Sequence, residues 1–300
     1  MSILTIFTAP KQFTNPHINI IQRNAIQSWM HLQDVTVMLI GDEPGIAETA
    51  HEFGIQHVPE VDRDDKGVPT VRSVMAKGHA FTNSPMLCYS NADMILMSDL
   101  VQAARQVAAQ RKDFLMVGQR WDLDLPEPVD FSGDWEGRLH TEVDKRGEFY
   151  TPWGIDYFVF PRHLYTDVPN FTIGRPAWDN WMVYHASTSW GAAVDATRSV
   201  TVIHQIHDYS HLPGNKPPYG SEVAKRNLAL AGGRKCVYNV LDTDKELIDG
   251  KVRSPRFHPA RFCRRLERYF VTENMGGYRG QLSIQFGKLT RYFGKFPRKG

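Results

Sequence analysis

Met86-Leu87-Cys88-Tyr89-Ser90-Asn91-Ala92-Asp93-Met94-Ile95-Leu96 is the stretch on which the reading of this chain turns. An apolar run of strand length stops at Asn-x-Asp and then resumes with apolar residues. A carboxylate among apolar neighbours is costly unless it is paired or holds a metal. Asp93 falls just past the strand end, beside an Asn whose amide also offers an oxygen. Such a place suits a hard divalent cation, which keeps several waters and takes further ligands from phosphates. An Asx turn closing the strand is the plainer alternative. The flanking sequence decides between the two.

Upstream, residues 3–8 read as an apolar strand that stops at Ala9-Pro10. Asn15-Pro16 then offers an N-cap followed by proline in the first turn. Ile18, Ile21, Ala25, Trp29 and Leu32 recur at helical spacing, which predicts a helix over 16–32. A β-branched strand over 35–40 ends at Gly41-Asp42-Glu43-Pro44-Gly45. A helix over 46–53, a short strand over 55–58 and a helix over roughly 70–82 lead into the quoted strand. Repeated strand–helix alternation implies a mostly parallel sheet covered on both faces. Ligands of such sheets bind beyond the carboxyl ends of the strands. Those ends are Thr8-Ala9-Pro10, Gly41-Asp42 and Asn91-Ala92-Asp93, expected along one edge.

Downstream, a helix is expected over 99–110 and a strand over 114–119. Residues 121–152 are rich in Trp, Asp, Pro and Gly and show no clear period. A strand over 155–160 follows. Gly174-Arg175-Pro176-Ala177 then introduces a helix carrying Trp178, Trp181, Met182 and His185 on one face. A strand over 199–203 ends in His204, His207 and His211.

The chain of 300 residues is 42% apolar and 23% charged, the composition of an ordinary globular protein. No apolar run approaches the ~18 residues of a membrane span. The first residues read as a core strand and lack the features of a signal peptide. Cys88, Cys236 and Cys263 are widely spaced, and the expectation is reduced thiols in a cytoplasmic protein. The net charge of +2 conceals an asymmetry. Residues 251–300 hold 13 basic and two acidic residues, so this segment carries +11 and the remainder −9.

The order of these features resembles the GT-A glycosyltransferases, which transfer sugars from nucleotide-diphosphate donors. The resemblance covers roughly residues 1–210. It implies a GT-A-like (Rossmann-like) α/β fold with a mostly parallel sheet flanked by helices. The catalytic domain would span 1–250, with a nucleotide-sugar-binding half at 1–120 and an acceptor-binding half at 121–250. A basic helical extension would occupy 251–300. Asn91-Ala92-Asp93 stands where the family has Asp-x-Asp, Trp178-Asp179-Asn180-Trp181 where it has a catalytic carboxylate, and His204/His207 where a later His joins the metal. The departure is Asn91, a neutral oxygen in place of a carboxylate. The resemblance implies Mn²⁺ or Mg²⁺ on Asp93 and a nucleotide-diphosphate sugar as donor, with UDP favoured.

On this reading Thr8, Ala9 and Pro10 present strand-end backbone to the base. Asp42 accepts from a uracil imide or ribose hydroxyl, or else only shapes its turn. Arg72, on the helix entering the metal strand, faces the nucleotide or is an exposed helix charge, and Lys77 shares that ambiguity. Asn91 and Ala92 border the donor. Asp179 is the candidate base, since flanking tryptophans raise a carboxylate's pKa by partial desolvation. Its other reading is favourable charge at a helix start. Trp178 and Trp181 are candidate sugar-stacking faces, and Asp156 a candidate partner for an acceptor hydroxyl. His204 and His207 would face opposite ways along a continuing strand, which leaves one for the metal. His207 is the expected ligand.

The tail mixes basic residues with Leu266, Tyr269 and Phe270 at helical spacing. It suits either peripheral contact with the inner face of an anionic membrane or docking on the acidic body. The first would fit a glycolipid or other glycan acceptor and polysaccharide biosynthesis. No nucleic-acid recognition module accompanies the charge, and no nucleic-acid partner is expected. Two other functions use a similar sheet. A sugar nucleotidyltransferase would want a glycine-rich loop after the first strand, which Thr8-Ala9-Pro10-Lys11-Gln12-Phe13 lacks. A nucleotide- or glycan-binding module without turnover would need only the fold.

Overall fold

The computed structural model describes residues 2–207 and 220–295. The first half alternates as the sequence predicts: β1 (Leu4–Thr8), α1 (Pro16–Met30), β2 (Val35–Ile40), α2 (Ile46–Phe53), β3 (Gln56–Val58), α3 (Val71–Ala80) and β4 (Met86–Ser90). Asn15 caps α1, its side chain accepting from the backbone N–H groups of His17 and Ile18. Then come β5 (Met94–Ile95), α4 (Ser98–Ala108), β6 (Leu115–Val117), β7 (Trp121–Leu123), α5 (Trp135–Arg146), β8 (Glu148–Phe149) and β9 (Tyr157–Pro161). The chain continues through α6 (Trp178–Ser189), β10 (Ala193–Asp195), β11 (Ile203–Gln205), α7 (Glu222–Leu230), β12 (Lys245–Ile248), β13 (Lys251–Arg253), α8 (Pro259–Phe270) and α9 (Tyr278–Gly294).

The main sheet has the order β13-β12-β10-β6-β9-β4-β1-β2-β3. β1 is parallel to β2 and β4, β2 to β3, and β10 to β6 and β12. β9 and β13 run against their neighbours. Side chains alternate between two apolar layers, as the period of two requires. Leu4, Ile6, Met86 and Cys88 face α1 and α4, while Phe7, Leu87 and Tyr89 face α3 and α6. The parallel strands β1, β2 and β4 therefore end along one edge, which carries the three polar strand ends read from the sequence. A smaller sheet, β5-β11-β7-β8, lies beyond that edge.

Two expectations about elements need correction. The stretch 121–152 holds β7, α5 and β8. Trp135, Leu139 and Val143 recur every four residues and pack on Ile95, Leu123 and Ile203, a signal diluted by the surrounding Pro, Asp and Gly. The strand expected over 199–203 forms later, at Ile203–Gln205, and β10 precedes it.

The boundary drawn between 250 and 251 cuts the β12–β13 hairpin, where Ile248 pairs with Lys251. Beyond it, α8 buries two arginines against acids of the body. Arg261 Nη2 lies 2.9 Å from Asp195 and Arg264 Nη2 2.8 Å from Asp242. α9 then returns along α8, with Phe270 and Phe286 stacked at 5.8 Å between ring centroids. The basic segment through Lys295 is thus built into the body, because part of its charge is consumed by buried partners.

Candidate active site

Strand pairing brings distant residues together at the sheet edge. Ser90 at the end of β4 pairs with Tyr157 at the start of the antiparallel β9, so Asp156 arrives beside Asn91. The Asn91 backbone N–H donates to Asp156 O at 2.9 Å, and its Nδ2 donates to Asp156 Oδ1 at 2.7 Å. Arg120 Nη1 donates to the other carboxylate oxygen at 2.7 Å. In the small sheet, β11 runs antiparallel to β5, with His204 opposite Met94. The next residue, Gln205, donates its N–H to Asp93 O at 3.1 Å. β7 places Asp122 opposite His204 on the other side, 3.1 Å from its Nδ1.

β11 ends at Gln205, so strict alternation no longer applies and the chain carries His207 back toward Asp93. His207 Nε2 lies 3.2 Å and His204 Nε2 3.9 Å from Asp93 Oδ2. This corrects the expectation that the two histidines diverge. One ligand atom from each of Asp93, His204 and His207 lies within 4.8 Å of the others. His211 falls outside the described residues.

The spacing of the cluster suits a divalent cation. Two ligands about 2.1 Å from one octahedral ion are roughly 3 Å apart when at right angles, close to the Asp93–His207 spacing. Asp93 Oδ1 is buried without a hydrogen-bond partner. If His204 Nδ1–H donates to Asp122, its Nε2 lone pair faces the cluster. Burial alone would raise the Asp93 carboxyl, but the His207 hydrogen bond and the charges of His204 and Lys11 outweigh it. They hold that carboxyl well below the usual range. Two imidazoles beside one carboxylate favour a transition ion over Mg²⁺, which prefers oxygen.

Two clefts meet at Asn91, Gly174 and Arg175. The first, about 430 Å³, is lined by Ala9, Pro10, Lys11, Glu43, Ala92 and Asp93, with His207 at one wall. Thr8 is fully buried beneath this surface. Asp42 does not line the cleft; it ion-pairs with Arg63, which also holds Glu43 at 2.8 Å. Glu43 takes the place expected of Asp42, and its Oε2 is buried and unpartnered. Arg72 is turned away: its Nε donates to Val168 O at 2.8 Å and its Nη2 lies 3.2 Å from Asp167. Lys77 pairs with Glu60 at 3.5 Å.

The second cleft, about 550 Å³, is lined by Tyr150, Trp153, Asp156, Trp178, Asp179 and Arg291. Asp179 sits in the first turn of α6 with Oδ1 buried and unpartnered. Burial raises its pKa to about 7, the backbone N–H of Asn180 opposes the shift, and the nearby charge of Asp156 adds to it. Trp178 lines the cleft, yet it is buried and stands edge-on to Tyr89 at 5.2 Å. Trp181 is away from the cleft, stacked on His185 at 4.8 Å in the core. Two further rings line the cleft, Tyr150 under Arg120 at 4.3 Å and Trp153 under Arg264 at 4.7 Å.

No protein family matches the sequence, and no curated protein does. Among solved structures, the chain is similar to glucosyl-3-phosphoglycerate synthase of Mycobacterium tuberculosis, with a TM-score of 0.47 and 16% identity over 77% of this chain and 81% of that one. The same synthase in complex with Mn²⁺, UDP-glucose and phosphoglyceric acid aligns with a TM-score of 0.45 and 15% identity, over 77% and 80% of the chains. S. aureus TarS aligns with a TM-score of 0.49 and 10% identity over 93% of this chain and 45% of that one. These likenesses assign no residue roles.

Several cleft residues escaped the sequence reading. Lys11 lies in a loop after β1 that has no glycine and so carries no phosphate-loop signal. Arg175 sits in a Gly-Arg-Pro turn whose signal was spent on the helix start. Behind the clefts, Arg120 falls just before the stretch without periodicity and Asp122 within it. Only the ladder placing Asp122 beside His204 reveals that pair.

Proposed function

We propose that this chain is a metal-dependent glycosyltransferase of the GT-A type. It would move a sugar from a nucleotide-diphosphate donor, with UDP favoured, to a hydroxyl of a glycan or lipid-linked acceptor. The observation that carries this reading is the Asp93–His204–His207 cluster at the wall of one cleft, joined at Arg175 to a second cleft that holds Asp179. A divalent cation held there would act as Lewis acid on the departing diphosphate. Lys11 and Arg175 add fixed positive charge along the same path. Ala9, Pro10 and Glu43 would border the nucleotide. Asp156, pinned by Asn91 and Arg120, offers an acceptor hydroxyl a fixed partner.

A carboxyl with a pKa of about 7 is well matched to general-base work near neutrality. Asp179 would take the acceptor's hydroxyl proton as its oxygen bonds to the anomeric carbon and the bond to the diphosphate oxygen breaks. The outcome would be inversion.

A membrane-proximal site of action draws support from α8 and its surroundings. Phe257 and Tyr278 are 83% and 80% exposed, and Phe262, Tyr269, Arg265 and Arg279 share their exposure. Among the described residues, no helix is long and apolar enough to cross a membrane. Sedimentation with anionic and neutral vesicles tests the contact. Equal binding to both, or to neither, counts against it.

The central test is thermal stabilisation by UDP and GDP with and without Mn²⁺, followed by donor turnover across a nucleotide-sugar panel. Metal-dependent stabilisation by a nucleotide, with release of that nucleotide from its sugar, is expected. Metal-independent binding without turnover would favour a binding module. Pyrophosphate-dependent release of a nucleoside triphosphate would favour a nucleotidyltransferase.

A further inference from the structure

Arg291 reaches the second cleft from α9, at the far end of the chain. Its presence there is no accident of a loose tail. Gln119 Nε2 donates to Gly294 O at 3.1 Å, in the last turn of α9. A Cβ on Gly294 would stand 2.6 Å from Pro152, so only glycine lets the helix end seat this closely on the loop that forms the cleft. Upstream, Ser283 Oγ donates to Glu267 O at 2.9 Å and fixes α9 to α8, which the buried Arg261 and Arg264 fix to the body.

Two arginines, Arg175 and Arg291, and two carboxylates, Asp156 and Asp179, line the cleft, and Asp179 balances at most one of the arginines when ionised. Asp156 is already neutralised by Arg120 at 2.7 Å. Arg175 donates only to its neighbour Gly174 O, at 3.0 Å, and neither it nor Arg291 forms an ion pair among the described residues. Arg175 borders both clefts and on the proposed function would serve the diphosphate, whereas Arg291 lines the second cleft alone. Trp153 there also leaves its indole Nε1 buried and unpartnered, a donor without an acceptor. Two arginines lining one cleft without an ion-pair partner among the described residues suit an anion.

We infer that the acceptor carries an acidic group, a phosphate or a carboxylate, and that Arg291 of the C-terminal helix selects for it. The inference rests on the transferase reading for the word acceptor, while the anion site itself is tested without a donor. α9 thereby becomes a wall of the active site and Arg291 a specificity residue.

The full chain is titrated with glycerol 3-phosphate, inorganic phosphate and glucuronate, and with neutral glycerol and glucose. Cleft tryptophan fluorescence is followed with and without UDP and Mn²⁺. Acidic probes are expected to bind at least about tenfold tighter than neutral ones, the scale of one charge-assisted hydrogen bond. Arg291→Ala should abolish that advantage, Arg291→Lys should retain part of it, and Lys288→Ala, a charge loss on the same helix, should leave it intact. Phosphate and glucuronate arms separate the two acid types. Equal binding of acidic and neutral probes, no binding of any acidic probe, or acidic binding unchanged in Arg291→Ala overturns the inference. Absence of UDP binding would instead strike the transferase reading, since the metal-free titration still reports on Arg291.

Discussion

The side-chain amide of Asn91 donates a 2.7 Å hydrogen bond to Asp156 Oδ1, so the residue that departs from Asp-x-Asp is committed to another carboxylate rather than to the metal cluster. An aspartate at 91 would set two carboxylates against one another. Asn91→Asp should therefore destabilise the fold by about 1–3 kcal/mol, the cost of losing one partner of a buried hydrogen bond. One member of the carboxylate pair would gain a raised pKa, so the penalty should shrink on acidification. Denaturation at pH 8 and pH 5 measures this. Tighter Mn²⁺ binding in the variant would contradict the assignment of Asn91 as a positioning residue.

Removing cluster members should separate metal ligation from folding. Asp93→Ala and His207→Ala are expected to lose the stabilisation that UDP gives with Mn²⁺, about 2.7 kcal/mol when ligand stands at 100 times its Kd. Turnover should fall by about two orders of magnitude or more. Mn²⁺ should support turnover better than Mg²⁺ because two of the three candidate ligands are imidazoles. Asp122→Asn acts one step out: it should weaken metal binding by about 10–100-fold while UDP binding without metal stays unchanged. Isothermal titration with Mn²⁺ decides the matter.

Asp179 carries opposite consequences for activity and stability. Its pKa is raised to about 7 from an ordinary 3.8, so the folded state binds the proton more tightly than the unfolded chain. Its favourable contribution is complete below pH 3.8 and is lost as pH rises through about 7. Transfer should show the reverse trend and climb as the carboxyl ionises. Asp179→Asn should remove most transfer activity yet make the protein more stable than the parent at pH 8, with the difference vanishing near pH 4. Paired pH–rate and pH–denaturation profiles check both halves. A less stable Asn variant at pH 8 would refute the raised pKa.

The parallel half of the fold was legible because each element from Leu4 to Ser90 combines one clear period with one clear stop, such as Asn15-Pro16 or Gly41-Asp42. Asp93, Asp156, Asp179 and His207 were legible as residue types at strand or helix ends. What sequence could not supply is pairing across the ladder. Nothing local says that β11 stops at Gln205, and with the strand continued through His207 that side chain would have pointed away from Asp93. Asp42 and Glu43 are adjacent acids in a single turn, and only the position of Arg63 shows which faces the cleft. Trp178 and Trp181 read as exposed stacking faces because α6 was seen without the sheet it covers.

The basic C-terminal segment gives the last prediction. Its charge suggests a detachable arm, but Arg261 meets Asp195, which is fully buried, and Arg264 meets Asp242 with both side chains 4% exposed. Removing one partner of a buried ion pair leaves an uncompensated charge and costs about 3–5 kcal/mol. Arg261→Ala should therefore destabilise the whole protein by that amount, whereas Arg265→Ala, at an exposed position one turn away, should change stability by less than about 0.5 kcal/mol. Truncation after Arg253 would strand both acids and uncover the apolar face beneath α8. It should yield a chain that aggregates or melts far below the parent. Calorimetry on the three variants is decisive. A truncated chain that folds with the parent's Tm would show the segment to be the separate extension that its composition suggests.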